Sequence, residues 1–167
     1  MVSRIVFKMT LFGLFILLIQ LAMAQSLFEI SQTFTICETD TDDTKVDLDK
    51  IKSPPLNRTA LDEITKLVGN RPVKVVSIVG GYHEGKSSFL NALLGADRFD
   101  VGQRYEPKTK GFNVVVRLDT NDTTRPAMLF IDTPGSGALH TDVAIQAAYF
   151  GAAYLISSTL CITRRES

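Results

Sequence analysis

The sequence lacks an excess of charge, and it lacks repeats. Its 167 residues carry 18 basic and 18 acidic side chains, so the formal net charge at pH 7 is zero. Proteins that bind nucleic acid or acidic lipid in bulk concentrate positive charge, and this balance gives no indication of either class, so no nucleic-acid partner is expected. The absence of an internal repeat or a long low-complexity tract excludes a solenoid. The hydrophobic content of 45% suits a globular core, and residues 25–167 have the usual size of one domain.

Cysteine is scarce in this sequence. The two cysteines, Cys37 and Cys161, fall at a strand end and within a strand. Free thiols are the favoured interpretation, with a disulfide as the alternative if the domain matures in an oxidising compartment.

An acidic turn begins near Asp40, but Lys45 stands where a calcium loop needs glycine and Ile51 where it needs glutamate. We interpret this stretch as a solvated turn.

The N-terminal segment lacks an apolar run of full membrane-spanning length. Arg4 and Lys8 form a positive region, an apolar stretch follows at 11–21, and an A-x-A pattern ends at Ala24. These features predict a cleaved signal peptide over residues 1–24, which would send the domain into the secretory pathway. An uncleaved membrane anchor is the alternative. A cytoplasmic location follows if the leader is not functional.

The chain is organised around a strand, a glycine turn and a helix. Val73 to Val79 is a nearly continuous β-branched run, as in a strand buried on both faces. A helical pattern follows from Ser87 and ends at Gly95. Between them, residues 80–87 read Gly-Gly-Tyr-His-Glu-Gly-Lys-Ser, which fits the pattern G-x-x-x-x-G-K-[ST]. This combination predicts a phosphate-binding loop, because glycines let backbone N–H groups face a phosphate at a helix N-terminus. A turn that merely matches the pattern is the alternative.

Two side chains of this loop have defined expected tasks. Lys86 would reach the β- and γ-phosphates of a nucleotide, and the Ser87 hydroxyl stands where the motif places a magnesium ligand. The predicted nucleotide-binding residues of the loop are Gly80, Gly81, Tyr82, His83, Glu84, Gly85, Lys86, Ser87 and Ser88.

Two later segments predict the rest of a nucleotide and magnesium site. Thr109 precedes Lys-Gly at a distance from the loop that is typical of the first switch of GTP-binding proteins, although a solvated turn is an open alternative. A strand at 127–131 ends in Asp132, and Gly135 follows, which would place a carboxylate and a glycine N–H beside a γ-phosphate. The predicted magnesium ligands are Ser87, Thr109 and Asp132.

The remaining pattern predicts an α/β fold with a three-layer P-loop NTPase sheet. The other predicted elements are a strand over 31–37, a helix over 59–68 with Thr59 as its N-cap, an antiparallel hairpin of 112–118 and 127–131, a helix over 138–154 and a strand over 154–162.

In this order the elements resemble the GTPase domain of the guanylate-binding protein and atlastin group, and more closely the guanylate-binding proteins. The matching motifs lie at 76–87, at Thr109-Lys110-Gly111-Phe112, at 129–135 and at 155–159. The resemblance implies GTP or GDP as ligand with Mg²⁺, hydrolysis of GTP, and a homodimer across the nucleotide face. By matching positions, it implies catalytic roles for Lys86, His83 and Thr109.

Two departures from the family pattern bear on activity. His83 stands where the family has an arginine finger, and histidine lacks the guanidinium fork that stabilises transition-state charge. The chain also ends before the strand on which the family reads the guanine base, so we predict a partial GTPase domain over residues 25–167, incomplete at its C-terminal edge. The expected function is GTP binding with hydrolysis left open. The alternative is a catalytically weak or inactive, nucleotide-dependent interaction module that is secreted or membrane-anchored.

Overall fold

The computed structural model describes residues 28–38, 56–102, 109, 111–136 and 143–164. The predicted signal peptide or anchor at 1–24 and the acidic turn lie outside these residues. Within them the chain forms six strands and three helices. In chain order these are β1 Phe28–Ile30, β2 Phe34–Glu38, α1 Arg58–Val68, β3 Val73–Gly80, α2 Lys86–Leu94, β4 Gly111–Asp119, β5 Ala127–Asp132, α3 Val143–Ile156 and β6 Thr159–Thr163.

The six strands form one mixed sheet in the order β1-β4-β5-β3-β6, with β2 also paired to β4. Strands β4 and β5 pair antiparallel, which confirms the predicted hairpin. Strand β3 lies at the centre of the parallel part, between β5 and β6. Its register places Ile78 beside Asp132 of β5. The carboxyl ends of β3 and β5 therefore lie side by side, where ligands bind in sheets of this kind.

Helices cover both faces of the sheet, which confirms the predicted three-layer α/β fold. One buried cluster joins the sheet to α1 and α3 through Ile64, Val68 and Tyr149. The other joins the opposite face to α2 through Leu90 and Leu94. The valines of β4 alternate between the two clusters, because successive side chains of a strand point to opposite faces. Strand β3 is thus packed on both of its faces, directly before the glycine turn.

The predicted single strand at 31–37 is wrong in its extent, because the chain leaves the sheet between β1 and β2. At this break Ser31 replaces the regular pairing with β4: its N–H donates to the carbonyl of Val116, and its Oγ accepts the N–H of Val116, each at 2.9 Å. A serine side chain that competes for backbone groups interrupts a strand in this way.

The predicted strand at 154–162 also begins too early. Tyr154 to Ile156 form the last turn of α3, and the N–H of Ser157 donates to the carbonyl of Ala153 at 3.1 Å. Leu155 is 81% exposed, so this apolar stretch is not part of a buried strand. The strand proper is β6, which starts at Thr159.

The described residues also give the state of the two thiols and the lengths of the helices. Cys37 and Cys161 are both free, as predicted. No helix of the described ranges is long and apolar enough to cross a membrane.

Helix α1 is capped by Asn57 and not by the predicted Thr59. Asn57 has extended backbone angles, φ −76° and ψ 92°, and its side chain accepts the N–H of Ala60 at 3.1 Å. Thr59 already lies inside the first turn. At the other end Gly69 has φ 58°, and its N–H donates to the carbonyl of Thr65 at 2.9 Å. A positive φ at this position favours glycine.

Replacing the capping side chain will lower stability. We expect Asn57→Ala to reduce the free energy of unfolding by about 1 kcal/mol, because one helix N–H loses its partner. Urea unfolding followed by circular dichroism measures this, with Thr59→Ala as the matched control. That control will leave stability unchanged or slightly higher. The opposite ranking of the two variants would mean that Thr59 is the true cap.

Candidate functional site

The glycine turn joins the centre of the sheet to the N-terminus of α2. Its last residue, Gly85, is left-handed, with φ 76° and ψ 23°, and provides no side-chain cap for the helix. The first N–H groups of α2 are therefore not capped by a side chain, and such groups bind anions. His83 is exposed, has φ 59°, and places its ring 4.0 Å from that of Tyr82. The backbone of the turn thus has the form that the sequence motif predicts.

The segment after β5 forms the opposite wall. The N–H of Tyr82 donates to the carbonyl of Ser136 at 2.8 Å, and the N–H of Ser136 donates to the carbonyl of Gly80 at 3.0 Å. A Cβ on Gly135 would lie 2.7 Å from Cα of Tyr82 and 3.0 Å from Nζ of Lys86. Such contacts are too close for any side chain, so glycine at 135 lets the two backbone segments meet.

Lys86 is the first residue of α2, and only 7% of its surface is exposed. Its Nζ donates to the carbonyl of Gly81 at 2.8 Å. Burial lowers the pKa of the ammonium group, while the negative charges of Asp132 and Glu84 act in the opposite direction. A phosphate oxygen is negatively charged, so it would bind the Lys86 ammonium more strongly than the neutral carbonyl of Gly81 does.

Asp132 is the most deeply buried carboxylate of the site, at 1% exposed. Its Oδ2 accepts the hydroxyl of Ser87 at 2.7 Å and that of Thr109 at 2.9 Å. Burial raises the pKa of this carboxyl, and the two hydroxyl bonds and Lys86 oppose the rise. Its Oδ1 is also buried, and it has no hydrogen-bond partner among the residues described. The three predicted magnesium ligands are thus brought together from three segments.

This set of oxygen atoms fits Mg²⁺. Magnesium prefers oxygen ligands and is commonly held by one or two carboxylates, with water and phosphate completing its shell. The partnerless Oδ1 of Asp132 has coordination capacity that the protein does not use. Within the described ranges no three His, Cys, Asp or Glu side chains cluster. Hydroxyl groups, water and a bound phosphate would therefore have to supply the remaining ligands.

A cavity of about 260 Å³ lies between these walls. The lining residues are Tyr82, His83, Glu84, Gly85, Lys86, Ser87, Ser88, Asp100, Val101, Gly102, Thr109, Thr133 and Gly135. Every predicted nucleotide-binding residue either lines this cavity or adjoins it in the chain or by hydrogen bond. The structure thus gathers the predicted set in one place, and the individual roles in binding stay predictions.

Sequence reasoning missed one wall of this cavity, formed by residues 100–102. Buried Asn91 of α2 holds that wall in place: its amide donates to the carbonyl of Phe99 at 2.9 Å, and its Oδ1 accepts the N–H groups of Arg98 and Phe99 at 3.0 and 2.9 Å. Phe99 is itself buried at 3% exposed. The only sequence signal was a polar residue on an apolar helix, and it does not identify its partners.

Sequence reasoning assigned no role to Thr133, which lies within the motif at 129–135. Its hydroxyl donates to the carbonyl of Ile78 at 2.7 Å and is fully buried. This bond fixes the end of β5 against β3, directly below the turn. The position of Asp132 beside Ser87 therefore depends in part on a buried threonine for which the sequence motif predicted no task.

Comparison with known proteins adds two findings. A family model described as guanylate-binding protein, N-terminal domain, matches residues 52–164. Guanylate-binding protein 5 of Mus musculus is 35% identical over 107 residues, which are 62% of this chain and 17% of that protein. The chain thus spans less than a fifth of the length of this relative.

Proposed function

Because the chain belongs to the guanylate-binding protein family, a group of large GTPases, we propose that it binds GTP and GDP together with Mg²⁺ in the cavity beside Asp132. The observation that carries this proposal is the meeting of Ser87, Thr109 and Asp132 at one carboxylate oxygen, next to the anion-binding turn. Separate segments supply these groups, so their convergence is not a product of the local motif.

Each group has a task in this proposal. The N–H groups of the turn and of the start of α2 bind phosphate oxygens, aided by the positive end of the helix. Lys86 exchanges the carbonyl of Gly81 for a phosphate oxygen. The Mg²⁺ ion that accompanies the nucleotide is held by the side chains of Ser87, Thr109 and Asp132. Bound Mg²⁺ supplies positive charge that neutralises the phosphates.

The charges around the cavity predict that binding depends strongly on Mg²⁺. Glu84 and Asp100 line the cavity, and Asp132 lies directly behind Ser87 and Thr109. Among the described lining residues Lys86 is the one Lys or Arg. A nucleotide alone would add negative charge to a site that already has more carboxylates than cations. A divalent cation restores the balance.

The experiment that tests the proposal is equilibrium binding of fluorescent GTP, GDP and ATP to the full chain, with and without Mg²⁺. We expect Lys86→Ala to weaken magnesium-dependent GTP binding by about tenfold to a hundredfold, because a charge-assisted bond to phosphate is lost. The matched control is Lys66→Ala, an exposed lysine of α1 that is remote from the turn. It will bind as the unmodified protein does.

Two outcomes decide the result. Equal binding by both lysine variants would overturn the proposal, provided that circular dichroism shows Lys86→Ala to be folded. Equal affinity for GTP and ATP would leave a phosphate site but contradict the guanine preference. A preference for GTP and GDP over ATP would support it.

A second candidate function is a nucleotide-dependent interaction module that does not hydrolyse GTP. The observation that favours it is His83, which faces the cavity with an exposed ring and without a guanidinium group. In this alternative the bound nucleotide serves to bring two copies together across the nucleotide face. A nucleotide-dependent change in sedimentation without phosphate release would support it. Residence in the secretory pathway remains a prediction from residues 1–24.

A further inference from the structure

Glu84 turns its side chain back onto the glycine turn that contains it. Its Oε2 accepts the N–H of Gly81 at 2.6 Å and the hydroxyl of Thr163 at 3.0 Å. Thr163 is the last residue of β6 and lies 79 positions away in the chain. One carboxylate oxygen thus joins the start of the turn to the end of a neighbouring strand.

The space around this carboxylate accounts for a glycine that the phosphate motif does not require. Gly81 occupies a variable position of G-x-x-x-x-G-K-[ST], yet a Cβ there would lie 2.6 Å from Oε1 of Glu84. A Cβ on Gly80 would lie 2.7 Å from Oε2 of Glu84 and would also collide with the hydroxyl of Thr163. The absence of a side chain at both glycines therefore leaves room for the carboxylate of Glu84, which packs against the backbone of the turn.

We propose that Glu84 is a positioning residue that holds the turn in its nucleotide-binding shape by anchoring Gly81 to Thr163. This inference rests on the proposed function, because the shape matters only if the turn binds phosphate. The backbone of Glu84 lies between His83 and Gly85, inside the turn, while its side chain reaches β6. The side chain therefore limits how far the N–H groups of the turn can move when no ligand is present. A site formed in advance binds more tightly because less ordering accompanies binding.

Electrostatic repulsion would change nucleotide affinity in the opposite direction to positioning. The direction of the change in affinity when Glu84 is substituted therefore tests the proposal. The carboxylate is negative and stands near the site of a polyphosphate, so repulsion alone would weaken nucleotide binding. If repulsion dominates, removing the charge will tighten binding. If positioning dominates, removing the hydrogen bonds will weaken binding, and removing the charge alone will change little. The two hydrogen bonds to the carboxylate, of which the one from Gly81 is short, favour the second case, because they stabilise the negative charge on the side of the turn toward β6.

The experiment compares Glu84→Ala with Glu84→Gln in magnesium-dependent binding of fluorescent GTP. We expect the alanine variant to bind about tenfold more weakly, as for loss of a charge-assisted hydrogen bond, and the glutamine variant to stay within about threefold. Glutamine keeps an acceptor for Gly81 and a group that can bond the hydroxyl of Thr163. Binding by both variants that is as tight as that of the unmodified protein, or tighter, would overturn the proposal. Thermal unfolding of each variant establishes that it is folded.

A second pair of variants tests the anchor itself. Thr163→Val removes the hydroxyl with little change in volume, and we expect GTP binding to weaken by about threefold. Thr163→Ser keeps the hydroxyl and will bind normally. In the Glu84→Ala background the valine substitution will have little further effect, because the bond to Glu84 is already absent and only the longer contact of the hydroxyl with the carbonyl of Val79, at 3.4 Å, is left to lose. Additive losses would contradict the anchor.

Hydrogen exchange separates failure of this inference from failure of the proposed function. Without any nucleotide, the Gly81 amide should exchange about tenfold faster in Glu84→Ala and at the normal rate in Glu84→Gln. If the unmodified chain binds no nucleotide, the proposed function fails, and this exchange result still decides whether Glu84 holds the turn. An unchanged exchange rate in Glu84→Ala would overturn the inference even if GTP binds.

Discussion

Substitution of His83 by arginine is expected to raise the rate of GTP hydrolysis by about a hundredfold or more. An arginine placed within reach of a transferring phosphoryl group accelerates hydrolysis by about three orders of magnitude or more in GTPases that use one. His83 lines the cavity, and its ring is exposed, so a longer side chain has room. Its backbone angle of φ 59° is adopted more readily by histidine than by arginine, so we expect the exchange to cost a little stability. The turn can therefore accommodate an arginine side chain at position 83.

Phosphate release under single-turnover conditions measures this effect. His83→Lys is the matched control, because it adds positive charge without a planar fork and should give only a small part of the gain. Adding Lys86→Ala to His83→Arg should abolish the gain if it arises in this cavity. A rate for His83→Arg that equals that of the unmodified chain, with GTP still bound, would favour the interaction module over the GTPase.

Asp132→Asn is expected to weaken magnesium-dependent GTP binding by about a hundredfold. The carboxylate accepts hydrogen bonds from Ser87 and Thr109 and has a second, partnerless oxygen. Asparagine keeps one acceptor for the two hydroxyls but loses the negative charge that attracts a divalent cation. The free protein should remain folded, because the substitution also removes a buried charge whose pKa is raised by burial. Binding titrations at several Mg²⁺ concentrations will show the loss.

A second buried aspartate at the end of a strand provides the control. Asp119 of β4 accepts the N–H groups of Asn121 and Asp122 at 2.9 and 3.1 Å and pairs with Arg125 at 3.1 Å. Asp119→Asn should lower the unfolding temperature and leave the magnesium dependence of binding unchanged. The reverse pattern, with Asp132→Asn destabilised but still responsive to Mg²⁺, would count against a metal site.

The parts that the sequence predicted correctly are those in which adjacent residues determine the structure. The strand, turn and helix around Lys86 follow from one continuous stretch, and so does the hairpin that ends at Asp132. The N-cap of α1 was misplaced because Asn57 and Thr59 are both acceptable capping residues, and only the extended backbone of Asn57 distinguishes them. The end of α3 was misplaced because an apolar run suits a helix or a strand equally well.

The parts that could not be predicted depend on pairs that are far apart in the chain. Nothing in the sequence around Glu84 or Thr163 indicates that their side chains form a hydrogen bond. The same is true of the hydrogen bond from Thr133 to the carbonyl of Ile78. The wall at residues 100–102 likewise depends on Asn91 and on the turn of chain that it fixes. Such contacts follow from the packing of α2 and the sheet, which local patterns do not specify.

The position of β3 in the sheet also affects the order in which this molecule assembles. Its partners β5 and β6 begin at Ala127 and Thr159, so the central strand at Val73 must close loops of about fifty and about eighty residues before it is paired on both sides. Contacts of such long range slow folding. During synthesis the glycine turn leaves the ribosome long before Asp132, Gly135 and Thr163 exist to surround it. We therefore expect the glycine turn to reach its final form only after β5 and β6 have paired with β3.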